Sequence, residues 1–131
     1  MESQKTAYAN TLLSPSHTRI VIVAHAPLAA ALLAVVAHVH GAVPEHVRGI
    51  DVLAQSTAQD TYALIESQIQ GVPALVLTDL VGASPHNCAQ AVIQGRANAL
   101  CLSPVSAPLL LRAINYSHLP VQRLHETLNG G

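Results

Sequence analysis

The chain has 131 residues, enough for one domain that buries roughly two-thirds of its unfolded surface. Half of its residues are hydrophobic but only 2% are aromatic, so the core must be built from Ala, Leu, Val and Ile. Only 10% are charged, against ~25% in an average soluble domain, and the net charge of −1 excludes the basic surface of a nucleic-acid-binding protein.

A long uncharged segment raises the question of a membrane span. Residues 20 to 44 contain no Asp, Glu, Lys or Arg. Five residues interrupt this run: His25, Pro27, His38, His40 and Gly41. A strand, a turn and a helix explain the segment without a membrane. The polar start of the chain lacks a signal-peptide layout, and Cys88 and Cys101 form no CxxC pair. We therefore expect a cytoplasmic protein with reduced thiols and no direct membrane insertion.

Beyond a polar lead-in (residues 1–18), the apolar pattern alternates between strands and helices up to residue 128, before a short tail (129–131). In chain order it predicts a strand at 19–24, a helix at 27–40, a strand at 47–52, a helix at 57–70, a strand at 74–78, a helix at 84–94, a strand at 98–102, and helices at 107–116 and 120–128. Such alternation favours a doubly wound α/β domain: a mostly parallel four-stranded sheet in the order 2-1-3-4, with helices on both faces.

Two of the predicted strands end in an ionisable residue. His25 ends the first strand and Asp79 follows the third, and these strands are neighbours in the expected order. A lone histidine among apolar residues, such as His25, is more often a core residue than a catalytic one, and an Asp after a strand, such as Asp79, can simply cap a turn. Together, a carboxylate that accepts a hydrogen bond from one ring nitrogen leaves the other nitrogen as a nucleophile.

The segment after Asp79 adds a candidate anion site. Ser84 is a favourable N-cap, and Pro85 suits the first helical position. The unpaired N–H groups and the positive dipole end of this helix would face the same crevice as His25. Histidine, carboxylate and anion site together suit reversible phosphoryl transfer. Nucleotide hydrolysis is not supported, because the sequence has no Walker loop or GxGxxG motif.

Two segments carry a resemblance to a known family. The first is Ile20-Val21-Ile22-Val23-Ala24-His25, a strand that ends in a histidine. The second, Asp79-Leu80-Val81-Gly82-Ala83-Ser84-Pro85-His86-Asn87, is similar to the signature D-x-x-G-G-S-P-x-N. From about Arg19 to Tyr116 the chain resembles the enzyme IIA component of the mannose-type (mannose–fructose–sorbose) bacterial sugar phosphotransferase system.

This resemblance implies roles for the matching residues, in a phosphotransferase component that uses a phosphohistidine and no cofactor. His25 would take phosphate on its outer ring nitrogen, and Asp79 would hold the inner one. Ser84 and the nearby backbone of Gly82 and Ala83 would contact the phosphate. Two further residues, His86 and Asn87, are candidates for contact with the phosphate or a partner.

The resemblance also implies partners. A histidine-containing phosphocarrier protein would donate the phosphoryl group, and a separate IIB protein would accept it, in sugar uptake or its regulation. Two alternatives stay open: a non-transport regulatory or interaction module with the same fold, and the phosphotransfer subunit of dihydroxyacetone kinase. A hydrolase built on a His–Asp pair would lack a credible nucleophile.

The chain departs from the family pattern in three residues and at its end. Ala26 and Ala83 stand where glycine is usual, and His86 stands where an aromatic residue is usual. Family members continue into a strand that swaps between subunits, whereas this chain stops at Gly131. A further C-terminal strand and a homodimer are therefore open questions.

The other histidines have simpler interpretations. His38 and His40 would be surface groups that complement the end of the first helix. Four more are assigned to loops or the tail: His17, His46, His118 and His125. We interpret His86 first as a solvated helix residue. The histidines have no convincing ligand spacing with acids or cysteines, so no metal site is predicted.

Overall fold

The computed structural model describes residues 17–130. In chain order they form β1 (Arg19–His25), α1 (Leu28–His40), β2 (Val47–Val52), α2 (Ala58–Ile69), β3 (Ala74–Thr78), α3 (Ser84–Ile93), β4 (Ala99–Leu102), α4 (Ala107–Asn115) and α5 (Val121–Gly130). The strands form one sheet in the order β2-β1-β3-β4, and every pairing is parallel. The predicted 2-1-3-4 order is thus confirmed, and β1 and β3 are neighbours.

The sheet has an aliphatic core on each face. Alternate residues of β1 point to opposite faces, as the twofold repeat of a strand requires. Ile20 and Ile22 pack with α1, α4 and α5, whereas Val21 and Val23 pack with α2 and α3. All four side chains are fully buried. Burial on both faces explains why the central strands are continuous β-branched runs rather than alternating ones.

The element boundaries differ from the predicted ones by a residue or two, where helix ends depend on local contacts. Pro27 precedes α1 as its N-cap instead of lying in its first turn. Gly41 ends α1 in the left-handed conformation, with φ +86°. Thr57 caps α2 through its side chain, which accepts from the backbone N–H of Asp60 at 3.0 Å.

The C-terminal segment is helical in the structure. Residues 121–130 form α5, so no further strand follows α4 within the described residues. His125, predicted in a loop or tail, lies in α5, where its Nε2 is 3.2 Å from the Cys101 carbonyl oxygen. Most of the predicted lead-in, residues 1–16, and residue 131 of the tail lie outside the described residues.

None of the helices among residues 17–130 combines the length and the hydropathy that a membrane span requires.

Candidate functional site

The parallel pairing of β1 and β3 brings His25 and Asp79 together. Val23 is in register with Thr78, so each ionisable residue lies at or just beyond the carboxyl end of its strand. His25 Nδ1 is 2.8 Å from Asp79 Oδ2, and the backbone N–H of His25 donates to the same oxygen at 2.9 Å. The other carboxylate oxygen, Oδ1, accepts from the backbone N–H of Leu80 at 2.9 Å. The carboxylate is therefore fixed by three hydrogen bonds.

These contacts determine the tautomer of His25. A carboxylate only accepts hydrogen bonds, so Nδ1 must carry the proton. In the neutral ring, Nε2 then holds the lone pair. Nε2 has no hydrogen-bond partner among residues 17–130. The His25 side chain is 49% exposed while that of Asp79 is only 10% exposed, so the ring can be approached from solvent and the carboxylate cannot.

The environment of Asp79 favours its charged form. Burial by itself raises the pKa of the carboxyl. Hydrogen bonds from the backbone and ring of His25 and from the Leu80 backbone lower this pKa, and together they outweigh the effect of burial. The net effect is a pKa below the usual value of Asp. Asp79 is thus held as a carboxylate beside Nδ1 of the imidazole.

A tight turn places the start of α3 beside His25. Gly82 has φ +87°, a conformation that L-amino acids with a side chain rarely adopt. The Asn87 side chain donates to the Gly82 carbonyl oxygen at 3.0 Å and so ties this turn to the helix. Asn87 therefore holds the loop in shape.

The structure corrects the predicted cap of α3. Ala83 is the N-cap and Ser84 the first helical residue, and the cap has no side-chain hydrogen bond. The extended backbone of Ala83, after the turn at Gly82, starts the helix one residue earlier than the sequence suggests. The Ser84 hydroxyl is consequently not consumed as a cap, and the first-turn N–H groups have no acceptor within the helix.

A cleft of about 270 Å³ joins His25 to Ser84. Its other described lining residues come from the ends of β1 and β2 and from the loop after β2: Ala26, Val52, Leu53, Ala54 and Ser56. This β2 loop was not predicted as part of the site. Its signal was present, because β2 neighbours β1 in a 2-1-3-4 sheet and parallel strands end at the same edge. Gly82 and Ala83 do not line the cleft.

A second helix start at this edge is already occupied. The Asp51 carboxylate, near the end of β2, accepts from the backbone N–H groups of Ala29 (2.9 Å) and Ala30 (3.2 Å) at the start of α1. A carboxylate from a neighbouring strand thus caps α1, which has no acidic residue in its own first turn. The start of α1 is therefore not available to an anion bound beside His25, and of these two helix starts only that of α3 could donate hydrogen bonds to such an anion.

His86 is not the solvated residue that was predicted. It is half-buried, and its Nδ1 lies 3.0 Å from Thr78 Oγ1 and 3.1 Å from Ser103 Oγ. Thr78 and Ser103 also contact each other through their hydroxyl groups. Because Thr78 directly precedes Asp79, this cluster fastens α3 to the ends of β3 and β4, beside the cleft rather than in it.

No group of three or more His, Cys, Asp and Glu side chains within residues 17–130 is arranged to hold a metal ion.

Comparison with solved structures identifies close structural neighbours. The phosphotransferase component EIIA of Streptococcus agalactiae superposes with a TM-score of 0.80 at 24% identity, over 86% of this chain and 90% of that one. The mannose/sorbose-specific IIA subunit of the phosphotransferase system of Enterococcus faecalis gives 0.79 at 20% identity, over 87% and 88%. A IIA protein associated with the fucose utilization operon of Streptococcus pneumoniae gives 0.75 at 18% identity, over 87% and 90%. At these identities the likeness establishes the fold alone.

The comparison with curated proteins gives no significant match. A family model described as "PTS system fructose IIA component" matches residues 19–127, which is most of the chain and contains both His25 and Asp79. The chain therefore belongs to this family of IIA components, which have a phosphotransfer role in sugar phosphotransferase systems and interact with phosphocarrier and IIB proteins in general.

Proposed function

We propose that His25 accepts a phosphoryl group on Nε2 from the histidine-containing phosphocarrier protein and passes it to an IIB protein. The observation that carries this proposal is the pairing of His25 Nδ1 with the buried Asp79 carboxylate at 2.8 Å, which leaves Nε2 of this half-exposed side chain unprotonated in the neutral ring. The neighbouring start of α3 supplies hydrogen-bond donors for the phosphoryl oxygens.

The transfer requires no metal or cofactor in this scheme. The Nε2 lone pair forms the new N–P bond as the N–P bond of the donor's protonated phosphohistidine breaks, and the donor leaves as a neutral imidazole. The proton on Nδ1 stays in place, so His25 becomes an imidazolium. Asp79 stabilises that positive charge across the Nδ1–H hydrogen bond.

The phosphoryl group would be bound by the start of α3. We propose that the Ser84 hydroxyl and the backbone N–H groups of Gly82 and Ser84 donate to its oxygens, as helix starts commonly do for phosphates. The N–H of Ala83 already donates to the Leu80 carbonyl oxygen at 3.2 Å, so Ala83 would contribute only if that bond opened. Asn87 would act indirectly, by holding the Gly82 turn.

The test is phosphorylation of the full chain. The protein is incubated with phosphoenolpyruvate, enzyme I and the phosphocarrier protein, and the modified residue is mapped by mass spectrometry under neutral conditions. We expect wild-type protein to be labelled on His25 and His25→Ala to be unlabelled. His38→Ala, which removes an exposed histidine at the far end of α1, is the matched control and should label normally. Labelling that survives His25→Ala would disprove the assignment.

A second step tests the acceptor. Purified phosphorylated protein, freed of the donor, is mixed with an IIB protein of the same family of systems, and loss of label from His25 is followed together with gain of label on IIB. Transfer supports the carrier function. A labelled His25 that never discharges to any IIB protein would favour the regulatory alternative.

A further inference from the structure

A second cavity lies at the opposite edge of the sheet from His25. It has a volume of about 330 Å³, within the range of small-molecule sites. Its described lining residues are His17, Arg19, Glu45, His46, Arg48, Val72 and Pro73. Arg19 and His25 are the first and last residues of β1, roughly 20 Å apart at about 3.3 Å per residue, so this cavity is separate from the proposed phosphorylation site.

Two arginines are fixed on one side of this cavity. Val21 is in register with Arg48, so Arg48 shares a sheet face with Arg19. Arg19 donates to the Gln68 carbonyl oxygen at 2.8 Å, and Arg48 donates to the Gln68 side chain at 2.9 Å and to the Glu45 carbonyl oxygen at 2.8 Å. A guanidinium has five N–H donors, so both retain donors beyond these contacts.

The two guanidinium groups repel each other. Burial, and then the proximity of Arg48, lower the pKa of Arg19, although Glu45 opposes this effect. An arginine nevertheless stays charged in proteins. Two fixed cations beside one cavity favour an anion bound there, and planar guanidinium groups match the oxygens of a phosphate in particular.

His46 adds a donor to this cavity only as an imidazolium, because its Nε2–H already donates to Ser117. The Ser117 hydroxyl donates to the Ile114 carbonyl oxygen at 2.8 Å, so it must accept from His46 Nε2–H at 2.9 Å. The His17 ring lies against His46, with centroids 4.6 Å apart. Burial, His17 and Arg19 lower the pKa of His46, and a bound anion would reverse the effect of the last two by favouring the imidazolium.

We propose that this cavity binds a small organic phosphate, with the phosphate between Arg19 and Arg48 and the carbon body against Val72 and Pro73. Glu45 is the only carboxylate in the described lining and opposes the anion. The proposal does not depend on phosphoryl transfer at His25.

The test is a titration of the full chain followed by NMR, with glycerol 3-phosphate, inorganic phosphate and citrate as probes. We expect saturable chemical-shift changes at Arg48 and His46, and tighter binding of glycerol 3-phosphate than of inorganic phosphate because its carbon body covers Val72 and Pro73. Absence of saturable binding, or changes confined to His25 and Ser84, would overturn the site. Tighter binding of citrate than of either phosphate would overturn the phosphate assignment.

Three variants sharpen the result. Arg48→Ala should raise the Kd for glycerol 3-phosphate at least about tenfold, the effect of losing a charge-assisted hydrogen bond. Glu45→Gln should lower it about two- to fivefold, because the opposing carboxylate is removed. Arg123→Ala removes an exposed arginine of α5 outside the cavity and should leave the Kd unchanged.

An equal loss of affinity in Arg123→Ala and Arg48→Ala would show a general charge effect and refute the site. A Kd unchanged by Glu45→Gln would refute it as well.

Discussion

Asp79 is the residue on which the geometry of the His25 site depends. Its carboxylate accepts from the His25 ring, the His25 backbone and the Leu80 backbone, so it fixes the ring and both strand ends at once. Asp79 is almost fully buried and is not among the described residues that line the cleft. Its role in the proposed transfer is to position His25 and to stabilise the charge that forms there.

The first prediction concerns the rate of phosphorylation. Asp79→Asn keeps the size of the side chain but removes its charge and offers an amide that can favour the wrong tautomer. We expect the initial rate of His25 labelling to fall by about 10²-fold or more, while prolonged incubation still labels His25. Rapid-quench labelling of both proteins measures the effect. An unchanged rate would show that Asp79 has only a structural role.

The second prediction concerns stability and pH. The pKa of Asp79 is lower in the folded protein than its ordinary value of 3.8, so the unfolded state binds more protons between the two values. This contribution to stability is therefore present above about pH 4 and is lost as pH falls through the folded pKa. Urea unfolding of wild type and Asp79→Asn should show a difference in free energy of unfolding that is larger at pH 6 than at pH 3. A difference independent of pH would contradict the prediction.

At the scale of elements, α1 packs closely onto β2 at Gly49. A Cβ added to Gly49 would lie 2.8 Å from Leu33 Cδ1 and 3.3 Å from Ala29 Cβ. The Leu33 side chain can rotate away, but the Cβ of Ala29 is attached directly to the helix backbone and moves only with α1. The glycine therefore sets the distance between this helix and the sheet.

The third prediction follows from that contact. Gly49→Ala should lower the free energy of unfolding by about 1 to 3 kcal/mol, the usual cost of overpacking, in spite of the gain expected for alanine over glycine in a strand. Chemical denaturation measures it. In a Leu33→Ala background the same substitution should keep most of this cost, because Leu33 can rotate away whereas Ala29 moves only with α1. Loss of the whole cost in that background would show that Leu33, not Ala29, is the obstacle.

On the scale of the whole molecule, apolar side chains are exposed at the carboxyl edge of the sheet. Leu80 and Val81, which directly follow Asp79, are 59% and 70% exposed, and Leu53 of the cleft is also exposed. An apolar surface around an exposed histidine suits a carrier that must dock two partner proteins in turn, because such contacts need little specific geometry.

The fourth prediction tests this surface. Val81→Asp should reduce kcat/KM for phosphorylation by the phosphocarrier protein about tenfold, because it places an unpaired charge in the docked complex, while the unfolding free energy changes little. Val39→Asp is the matched control: Val39 is also exposed (56%) but lies near the C-terminal end of α1, away from the His25 edge. Equal losses in the two variants would disprove a docking role for Val81.

Much of this architecture could be predicted from the local sequence pattern. The β-branched runs of β1 and β3 predicted buried parallel strands, and the predicted bounds of β2 and β3 match the structure. Gly41 predicted the end of α1, because a left-handed residue closes a helix most easily without a side chain. The pairing of His25 with Asp79 followed from the common order of strands in small doubly wound domains.

Contacts between distant segments could not be read in this way. Ser84 fits the pattern of an N-cap, yet after the turn at Gly82 the N-cap is Ala83 and Ser84 is the first helical residue. His86 has the sequence context of a solvated residue, but Ser103, 17 positions later, meets it in the fold. The cap of α1 by Asp51 likewise joins residues about 20 positions apart.

Short stretches of the chain specify the helices and strands, the parallel sheet, the family resemblance and the candidate nucleophile, because strand burial, helix ends and motif residues are local features. The three-dimensional fold was needed to show that Asp79 fixes the His25 tautomer, that the β2 loop completes the cleft, and that Arg19 and Arg48 share a cavity at the other edge. These features arise from side chains that the sheet register brings together across many intervening residues, and distances of a few ångströms between them are set by packing rather than by local pattern.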